Sequence, residues 1–589
     1  MRRSAVTANG KVARVIVVGS GLAGLSAVLE LLRRGVAVLH LSSAEPRRSL
    51  SGSCQEGIVA ARDAELAGAA FHRRASLSAA RLGAAAPRVE QLVAEAPRVI
   101  AELAALGVPF SRDGSDAPVS AHSDDGLAVR TVFSELTTGQ QAVGALERQV
   151  RALGARELRD AQGRRVPGEL LLERLEHWDV LGLVQDDQGA VVGVVAFEQR
   201  TSKIRAFVGD GVCLATGSLA GLFGIAGAQA AGSGACGAAI RAGAIMANAN
   251  RIHWEPTCVP GTLVRPLPAL LRELGGRLWS PHPGAEGRRP GQLDEAERDY
   301  WAEREGFNAR STASAMRKRV SSGVPVYLEL SHLDSATLAR RAGWALDLVR
   351  AFAAVDTLAE SIQVVPFPAA LEGGLWVDME ADADGIVMGS PRNQATSVPG
   401  LYAAGDLDWL QAALGALPGN RISGRIVAGR LAADGLVAYR TALRRSALDL
   451  PQSVFDRAAA VFERRLETLV GAGSGTEGPV SILGVLEQVQ AAMRRLVEAD
   501  DRATTLMAEL EALLCQGFEA VGVDPVKCQS PALRVAMHWE GLSVAARVVA
   551  RAAALGQARE TDSEDSMPEP PLLLRWKAQD VQCVDENDQ

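Results

Sequence analysis

A strand, a glycine turn and a helix stand in register near the start of the chain, in the segment Val15–Val38 (VIVVGSGLAGLSAVLELLRRGVAV). Four apolar β-formers lead into Gly19-x-Gly21-x-x-Gly24. The first glycine permits a tight turn, the second lets the backbone approach a pyrophosphate, and the third lets the helix pack against the strand. The helix N-terminus then offers unpaired N–H groups and a positive dipole end to phosphate. The segment therefore predicts a Rossmann-type dinucleotide site.

The end of the next strand bears on which dinucleotide is bound. A site for NAD expects an acidic side chain there, to bind the ribose. The chain reads VLHLSSAEPRRS from Val38, so Ser42 and Ser43 stand where the carboxylate is expected. Glu45 takes that place only if the strand runs longer. The motif alone leaves the cofactor open and favours one other than NAD.

Length and charge narrow the class of protein. A chain of 589 residues exceeds what one hydrophobic core usually supports, so about two to four domains are expected. A hydrophobic content of 48% against 22% charged residues describes an ordinary globular protein. The formal net charge of −7 gives no reason to expect nucleic acid as a partner.

The cysteines and the apolar segments bear on metal sites and compartment. The seven cysteines are scattered without a CxxC pair, which argues against a zinc or iron–sulfur site in this chain and favours free thiols in a reducing compartment. Met1-Arg2-Arg3 precedes the nucleotide-binding strand itself, so no cleavable signal is predicted. Gly211–Ile240 is uncharged and long enough to span a membrane, but its many glycines fit turns beneath a cofactor better. A cytoplasmic protein without a metal is expected.

Periodicity predicts an α/β fold. Ala64–Leu106 is helical in pattern, Asp179–Phe197 contains a hairpin turn, and Phe207–Ala215 is predicted to form one buried strand. Pro325–Leu330 is strand-like, and Leu401–Asp406 repeats the strand-then-glycine pattern ahead of a helix over Gly419–Leu436. The predicted domains are a discontinuous Rossmann-like domain (12–249 and 371–440), an inserted α+β domain (250–370), a helical domain (441–557) and an acidic flexible tail (558–589).

Several local motifs occur in a fixed order along nearly the whole chain. They are GSGLAGL, SLSGSCQEGIVAA, LGVPFSRDG, TTGQQAVGALERQV, LATG, RAGAIMANANRIHWEPT, VYLELSH, EGGLWVD and GLYAAGD. Together they resemble the flavoprotein subunits of succinate dehydrogenase and fumarate reductase, including the L-aspartate oxidase relatives. The Thr137–Gln141 run is most similar to the type in Gram-positive and epsilonproteobacterial complexes.

The resemblance implies a cofactor, a reaction and partners. It implies FAD, with the inserted domain as a cap over the flavin, and hydride exchange between flavin N5 and a C4 dicarboxylate such as succinate or fumarate. It also implies electron transfer to a separate iron–sulfur subunit, and attachment to the inner face of the membrane through a cytochrome b subunit. Arginines clamp the substrate carboxylates in such a site, because a planar guanidinium binds a carboxylate with two parallel hydrogen bonds.

The resemblance also assigns roles to individual positions. Arg310 falls at the proton-donating arginine, Arg421 at a carboxylate-clamping arginine, and Thr257 at a substrate-contacting threonine. Arg130 matches a further arginine of the family. The positions expected to bind the cofactor are Gly19, Gly21, Gly24, Ser42, Gln55, Gly57, Thr216, Gly217 and Asp406, of which Asp406 faces the ribityl chain.

Other positions depart from the family pattern. Glu255 and Ala369 replace the two pocket histidines, and Leu50 replaces the histidine that tethers the flavin covalently. Bound FAD is therefore expected to be non-covalent. The double glycine near the flavin becomes Glu56-Gly57, and Arg425-Ile426 replaces an Asn-Ser pair.

Glu255 leaves the substrate open. Two like charges ~4 Å apart repel by roughly 4 kcal/mol at an effective dielectric near 20. That is about three decades of affinity for a dianionic substrate. Three hypotheses follow: a succinate dehydrogenase-like or fumarate reductase-like enzyme, a flavin oxidase or dehydrogenase for an amino acid such as L-aspartate, and a catalytically silent binding subunit. Glu255 would attract the cationic group of an amino acid.

Overall fold

The structure is a computed structural model. It describes residues 12–54, 57–60, 66–80, 85–111, 120–123, 127–132, 134, 137–160, 162–224, 230–260, 275–285, 287–302, 309–356, 359–383, 385–415, 417, 419–471, 481–498, 503–519, 531–557, 571–577 and 580–584. The chain forms two compact units. The first contains residues 1–120, 129–251 and 371–589, and the second contains 121–128 and 252–370.

The helices are numbered here in chain order over the described residues. They are α1 Leu22–Arg33, α2 Leu66–Ala80, α3 Ala86–Ala105, α4 Thr138–Gly154, α5 Ala230–Arg241, α6 Ala309–Ser321, α7 Ser335–Ala353, α8 Trp409–Leu414, α9 Asn420–Ala442, α10 Gln452–Gly471, α11 Ile482–Glu498, α12 Ala503–Glu519 and α13 Pro531–Gln557. Among these described helices, none combines the length and apolar character that a membrane span requires.

The strands are likewise numbered in chain order over the described residues. They are β1 Val15–Val18, β2 Val38–Ser42, β3 Ile58–Val59, β4 Ser120–Ser123, β5 Leu127–Val132, β6 Glu157–Arg159, β7 Arg165–Leu170, β8 Leu172–Glu176, β9 Trp178–Gln185, β10 Val191–Glu198, β11 Ile204–Val208, β12 Val212–Leu214, β13 Met246–Ala247, β14 Ile252–Cys258, β15 Arg277–Pro281, β16 Arg298–Asp299, β17 Val326–Glu329, β18 Ile362–Leu371, β19 Gly374–Leu375, β20 Ala381–Asp382, β21 Gly385–Ile386, β22 Leu401–Ala403, β23 Leu573–Lys577 and β24 Asp580–Cys583.

A parallel sheet forms the centre of the first unit, with strand order β22-β12-β1-β2-β8. Ile16 pairs with Val212 on one side and with Leu39 on the other. All four residues of β1 are buried, as expected for a parallel strand covered on both faces. Helix α1 packs against α9, and Gly429 makes this approach possible because a Cβ there would lie 2.1 Å from the Ala23 carbonyl oxygen. The predicted α/β fold is confirmed.

The prediction of one buried strand over Phe207–Ala215 is wrong. β11 and β12 are separate strands: Val194 of β10 pairs with Phe207 in an antiparallel sheet, whereas Cys213 pairs with Val17 in the parallel sheet. Gly211 lies between them with φ +120°, a conformation that L side chains rarely adopt. The chain therefore turns at this glycine and changes sheets. The predicted hairpin is confirmed by the antiparallel pairing of β9 with β10.

The last part of the chain differs from the flexible tail that its acidic composition predicts. Helices α10 to α13 agree with the helical pattern, but β23 and β24 then form an antiparallel hairpin, and Leu574 of β23 pairs with Met246 of β13. Asn248 and Leu572 exchange two hydrogen bonds, of 2.9 and 3.0 Å. The expectation of a flexible tail is wrong for these residues because Leu572–Leu574 are apolar and buried.

The second unit contains a mostly antiparallel sheet with order β14-β18-β17-β15-β16. Tyr327 of β17 and Trp279 of β15 are register partners, and their rings stack with centroids 4.7 Å apart. Helix α6 packs on β14, where the Arg317 guanidinium lies 4.5 Å from the Trp254 ring centroid. The strand-like segment predicted at Pro325–Leu330 is confirmed as β17.

Candidate functional site

The glycine turn lies at the carboxyl end of β1. The Gly19 N–H donates to the Leu41 carbonyl at 2.8 Å, and Gly19 has φ +113°. A Cβ at Gly19 would lie 2.2 Å from the Ala215 carbonyl oxygen, and one at Gly24 would lie 1.9 Å from the Gly19 carbonyl oxygen. Both neighbours are backbone atoms that cannot move aside. The turn therefore needs hydrogen at these two positions, because strand, turn and helix approach one another closely there.

Helix α1 begins with its backbone donors facing this turn. The residue before it, Gly21, supplies no side-chain cap, and the first turn of the helix contains no acidic residue. The Leu22 N–H donates to the Ser51 Oγ at 3.2 Å. A helix N-terminus without a carboxylate cap favours an anionic ligand such as phosphate. Sequence reasoning did not single out Ser51, although its motif SLSGS was noted.

A side chain of the second strand, His40, contacts the glycine turn. Its Nε2 atom lies 2.9 Å from the Gly19 carbonyl oxygen, and the ring is fully buried. Because a carbonyl only accepts, Nε2 is the protonated nitrogen. Burial lowers the pKa of His40 to about 4, so the ring is neutral at physiological pH. A polar residue within an apolar strand, VLHLS, was the available signal for this role.

The end of β2 is where an NAD site of this fold has its acidic residue. The strand ends at Ser42, so Glu45 lies beyond it, and its carboxylate is 3.4 Å from the Nε2 atom of His177. The Ser42 Oγ is buried and has no hydrogen-bond partner among the described residues. The strand therefore does not run on to Glu45, and a neutral hydroxyl takes the place of the carboxylate typical of NAD sites.

Thr216 and Gly217 lie on the neighbouring turn, after β12. The Thr216 backbone nitrogen would lie 3.3 Å from a Cβ at Gly19, which places the two turns in contact. The Thr216 Oγ1 is buried and is likewise unpartnered among the described residues. Gly217 has φ +85°. A buried hydroxyl without a partner is costly, so these groups fit a ligand that supplies polar atoms.

Gly57 belongs to a segment that lies against the start of α9. The Val59 N–H donates to the Gly419 carbonyl at 3.1 Å, and a Cβ at Gly419 would lie 2.3 Å from a Val59 methyl group. The Gly139 N–H donates to the Cys54 carbonyl at 2.9 Å, which joins the predicted TTGQQ motif to the same segment. Gln55 and Glu56 lie outside the described residues.

Asp406 follows β22 and forms an ion pair with Arg425 of α9. Two parallel hydrogen bonds join them, Nε to Oδ1 at 2.8 Å and Nη2 to Oδ2 at 2.6 Å. Burial favours the protonated acid, but the charge and hydrogen bonds of Arg425, with a smaller contribution from Arg421, outweigh it and hold the pKa of Asp406 below its ordinary value. Asp406 is therefore a carboxylate, and sequence reasoning assigned it a role but not this partner.

Arg421 lies in the first turn of α9, where its Nε donates to the Gly415 carbonyl at 3.0 Å. The preceding residue, Asn420, fixes the start of the helix: its Oδ1 lies 2.8 Å from the His72 Nε2, and its Nδ2 donates to the Ser76 Oγ at 2.9 Å. Both partners lie on α2. The end of α9 that carries Arg421 is thus held in place by the hydrogen bonds of Asn420 to α2.

The remaining predicted residues belong mainly to the second unit. Arg310 is in the first turn of α6, Glu255 and Thr257 are on β14, and Ala369 is on β18. Arg130 is on β5. The side chains of these five residues lie outside the described part of the structure, so their roles stay predictions. The structure brings together Gly19, Gly21, Gly24, Thr216 and Gly217 in the first unit, with Asp406 and Arg421 on neighbouring elements.

The family described as FAD binding domain matches residues 14–422, which is more than half of the chain. The chain belongs to this family. FAD is accordingly its cofactor, as the resemblance implied. The glycine turn, the buried Ser42 and Thr216 hydroxyls and a helix start without an acidic residue fit the pyrophosphate and ribose of a dinucleotide. A flavin supplies two-electron redox chemistry when bound, and the chain is an FAD-dependent oxidoreductase.

The similarity to known proteins extends beyond residues 14–422. The chain is 27% identical over 545 residues to the succinate dehydrogenase flavoprotein subunit of Bacillus subtilis, covering 91% of this chain and 88% of the relative. It is 28% identical over 511 residues to the L-aspartate oxidase of Caulobacter vibrioides, covering 81% and 86%. The fold is similar to that in the Mycobacterium smegmatis Sdh1 complex, with a TM-score of 0.75, 21% identity and coverage of 99% and 94%.

Proposed function

We propose that this FAD-dependent oxidoreductase exchanges a hydride equivalent with a C4 dicarboxylate, succinate or fumarate, as the flavoprotein component of a larger complex. The observation that supports this most directly is Arg421. Its helix end is anchored by Asn420, and its Nε is held by the Gly415 carbonyl. A guanidinium presented in this way, in the same unit as the FAD-binding turn, suits a substrate carboxylate.

Each protein group has a defined part in this proposal. Arg421 binds and orients one carboxylate of the substrate, and Thr257 donates a hydrogen bond to it. Arg310 holds the proton that is delivered to, or received from, the substrate carbon. The glycine turn, Ser42, Gly57, Thr216 and Gly217 hold FAD without a covalent bond, because Leu50 stands where a tethering histidine is expected.

Electrons leave or enter through other chains. The relatives from Bacillus subtilis and Mycobacterium tuberculosis are named as flavoprotein subunits, which supports assembly with further subunits. We therefore propose a separate iron–sulfur subunit and a membrane cytochrome b subunit as partners. The protein then lies on the cytoplasmic face of the membrane and is held there by those partners.

Activity of the FAD-loaded protein tests the substrate. Reduction of fumarate by a reduced viologen, and reduction of a dye by succinate, are expected for wild-type protein. Arg421→Met is expected to raise the KM for either substrate by about 100-fold, since a charge-assisted hydrogen bond contributes roughly 3 kcal/mol. Arg430→Met is the matched control, because Arg430 lies on the same helix but pairs with Glu95 and Glu102. Fully FAD-loaded protein that turns over neither substrate would contradict the proposal.

An amino acid is the second candidate substrate, and Glu255 favours it. A carboxylate beside a dicarboxylate repels it by roughly 4 kcal/mol at ~4 Å and an effective dielectric near 20, whereas it attracts an ammonium group by the same amount. Hydrogen peroxide formation from L-aspartate and oxygen, compared between wild type and Glu255→Gln, separates the two. Glu255→Gln should lower activity on aspartate if the substrate is an amino acid and raise activity on fumarate if it is not. A flavin that stays oxidised with every C4 acid and amino acid points instead to a silent binding subunit.

A further inference from the structure

The Asp406–Arg425 ion pair lies beside the cofactor turn. Its side chains are 20% and 10% exposed, and the pair is bidentate. Gly405, which precedes Asp406, is in contact with α1, since a Cβ there would lie 2.8 Å from the Ala23 Cβ. Gly429, one turn after Arg425, contacts the same residue. The two segments that carry the pair therefore both contact Ala23, in the first turn of α1, whose N-terminus follows the glycine turn.

Two arginines act electrostatically on Asp406. Asp406 is ionised and Arg425 neutralises it, while Arg421 adds a second guanidinium that acts on Asp406. Burial raises the pKa of the nearby Asp408, which also caps α8 through the Leu410 N–H. The first turn of α1 contributes no acidic group. Arg425 is thus the group that holds the Asp406 carboxylate by two hydrogen bonds and balances its charge.

We propose that Arg425 is a positioning residue that sets the charge around FAD, holding the Asp406 carboxylate in place and raising the reduction potential of the cofactor. Reduction adds negative charge to a flavin, so a nearby cation stabilises the reduced form and a nearby anion destabilises it. This inference rests on FAD binding alone and not on the proposed dicarboxylate substrate. Its failure is therefore separable from a failure of that proposal.

A double-mutant cycle tests the inference in the full chain loaded with FAD. The variants are Arg425→Gln, Asp406→Asn and the two together, and the measurement is the midpoint potential at pH 8 by equilibration with redox dyes, followed by flavin absorbance. Arg425→Gln is expected to change the equilibrium constant for flavin reduction about tenfold against reduction, a shift of about 30 mV for a two-electron couple. Asp406→Asn is expected to shift the potential in the opposite direction. The double variant should return close to the wild-type value, because it restores the charge balance.

The FAD dissociation constant supplies a second readout. Arg425→Gln leaves Asp406 without its two hydrogen bonds, so FAD release from the oxidised protein should become faster, and Arg425→Lys should restore the potential but not the slow release. If Arg425→Gln does not retain FAD, the sign of the shift in Asp406→Asn decides the question. Arg430→Gln, in the same helix, is the control and should leave the potential unchanged. Equal potentials in wild type, Arg425→Gln and Asp406→Asn, or a shift of the same sign in both variants, would overturn the inference.

Discussion

The Nε2 atom of His40 lies 2.9 Å from the carbonyl oxygen of Gly19. This contact joins the second strand of the parallel sheet to the first residue of the cofactor turn. The imidazole is fully buried, so its protonation state is tied to the folded state of the turn. Acid should therefore weaken the fold at this point, since protonating the ring opposes its burial.

We expect His40 to make stability pH-dependent below pH 6.5. Burial lowers the pKa of His40 to about 4 from 6.5, so the unfolded chain binds a proton that the folded chain does not. The contribution of neutral His40 to the free energy of unfolding is fully present above pH 6.5 and is lost as the pH falls toward 4. The loss is about 3 kcal/mol, because a shift of one pKa unit corresponds to about 1.36 kcal/mol. Urea unfolding at several pH values should show a smaller slope over this range in His40→Gln, which keeps a donor to Gly19. An unchanged slope would contradict the assignment.

Gly24→Ala should abolish tight FAD binding. A Cβ there would meet the Gly19 carbonyl oxygen at 1.9 Å, and the strain of about 3 kcal/mol typical of overpacking corresponds to about 100-fold in affinity. The matched control is Gly343→Ala in α7, where no atom lies within 4 Å of the added Cβ. That variant should bind FAD normally and gain up to about 1 kcal/mol in the free energy of unfolding. Fluorescence of released flavin measures the FAD affinity of both variants. Comparable affinities would count against the steric argument.

Asp179→Asn should destabilise the attachment of α13 to β9. Asp179 is completely buried, accepts a 2.9 Å hydrogen bond from the Arg534 Nη2 and a 3.1 Å bond from Gln199, and lies 3.6 Å from the His538 Nε2. Removing one partner of a buried pair costs about 3–5 kcal/mol, and the partial exposure of Arg534 favours about 3.

Acid supplies a second check on Asp179. Although burial favours its protonated form, His538 and Arg534 hold the pKa of Asp179 well below its ordinary value of 3.8. The stability it contributes is therefore present above pH 3.8 and lost as pH falls further, so the gap between wild type and Asp179→Asn should narrow in acid. Glu511→Gln, which removes an exposed partner of Arg547, is the control and should cost less than about 1 kcal/mol in thermal unfolding. Equal costs for both variants would refute the prediction.

Leu574→Ala should destabilise the first unit by about 2–5 kcal/mol, the range for a buried leucine. Leu574 is 1% exposed and pairs with Met246. Lys577→Ala, on the same strand but exposed, should change the free energy of unfolding by no more than about 0.5 kcal/mol. Chemical denaturation of the two variants measures the difference. A small effect at Leu574 would mean that the hairpin adds little to the core.

Local features of the fold were predictable because their causes are local. The turn at Gly19 requires only a few consecutive residues, and α9 after Gly419 follows from a continuous helical pattern. The change of sheets at Gly211 was missed because one apolar run supplied two strands, and only pairing with Val17 and Val194 separates them. Burial of Leu572–Leu574 depends on β13, a partner more than 300 residues away, so composition alone predicted a tail.

In the candidate site, too, local features could be predicted from the sequence and long-range contacts could not. The turn geometry at the glycines could be predicted from the motifs, since each motif dictates its own backbone. The partner of Asp406 could not, because the contact with Arg425 arises only when β22 and α9 pack beside α1. His40 was missed for a similar reason: the polar residue in an apolar strand was a visible signal, but its carbonyl partner lies in the turn after β1, on a separate part of the chain.

The hydrogen bonds between Asn248 and Leu572 set an order for events during synthesis. Their two residues are 324 positions apart, and ribosomes add about 5–20 residues per second. On the growing chain, one edge of β13 therefore stays without its partner strand for tens of seconds, until β23 is made. An uncovered edge is a template for pairing with other chains, so the nascent protein passes through an aggregation-exposed interval in which chaperone protection would matter most.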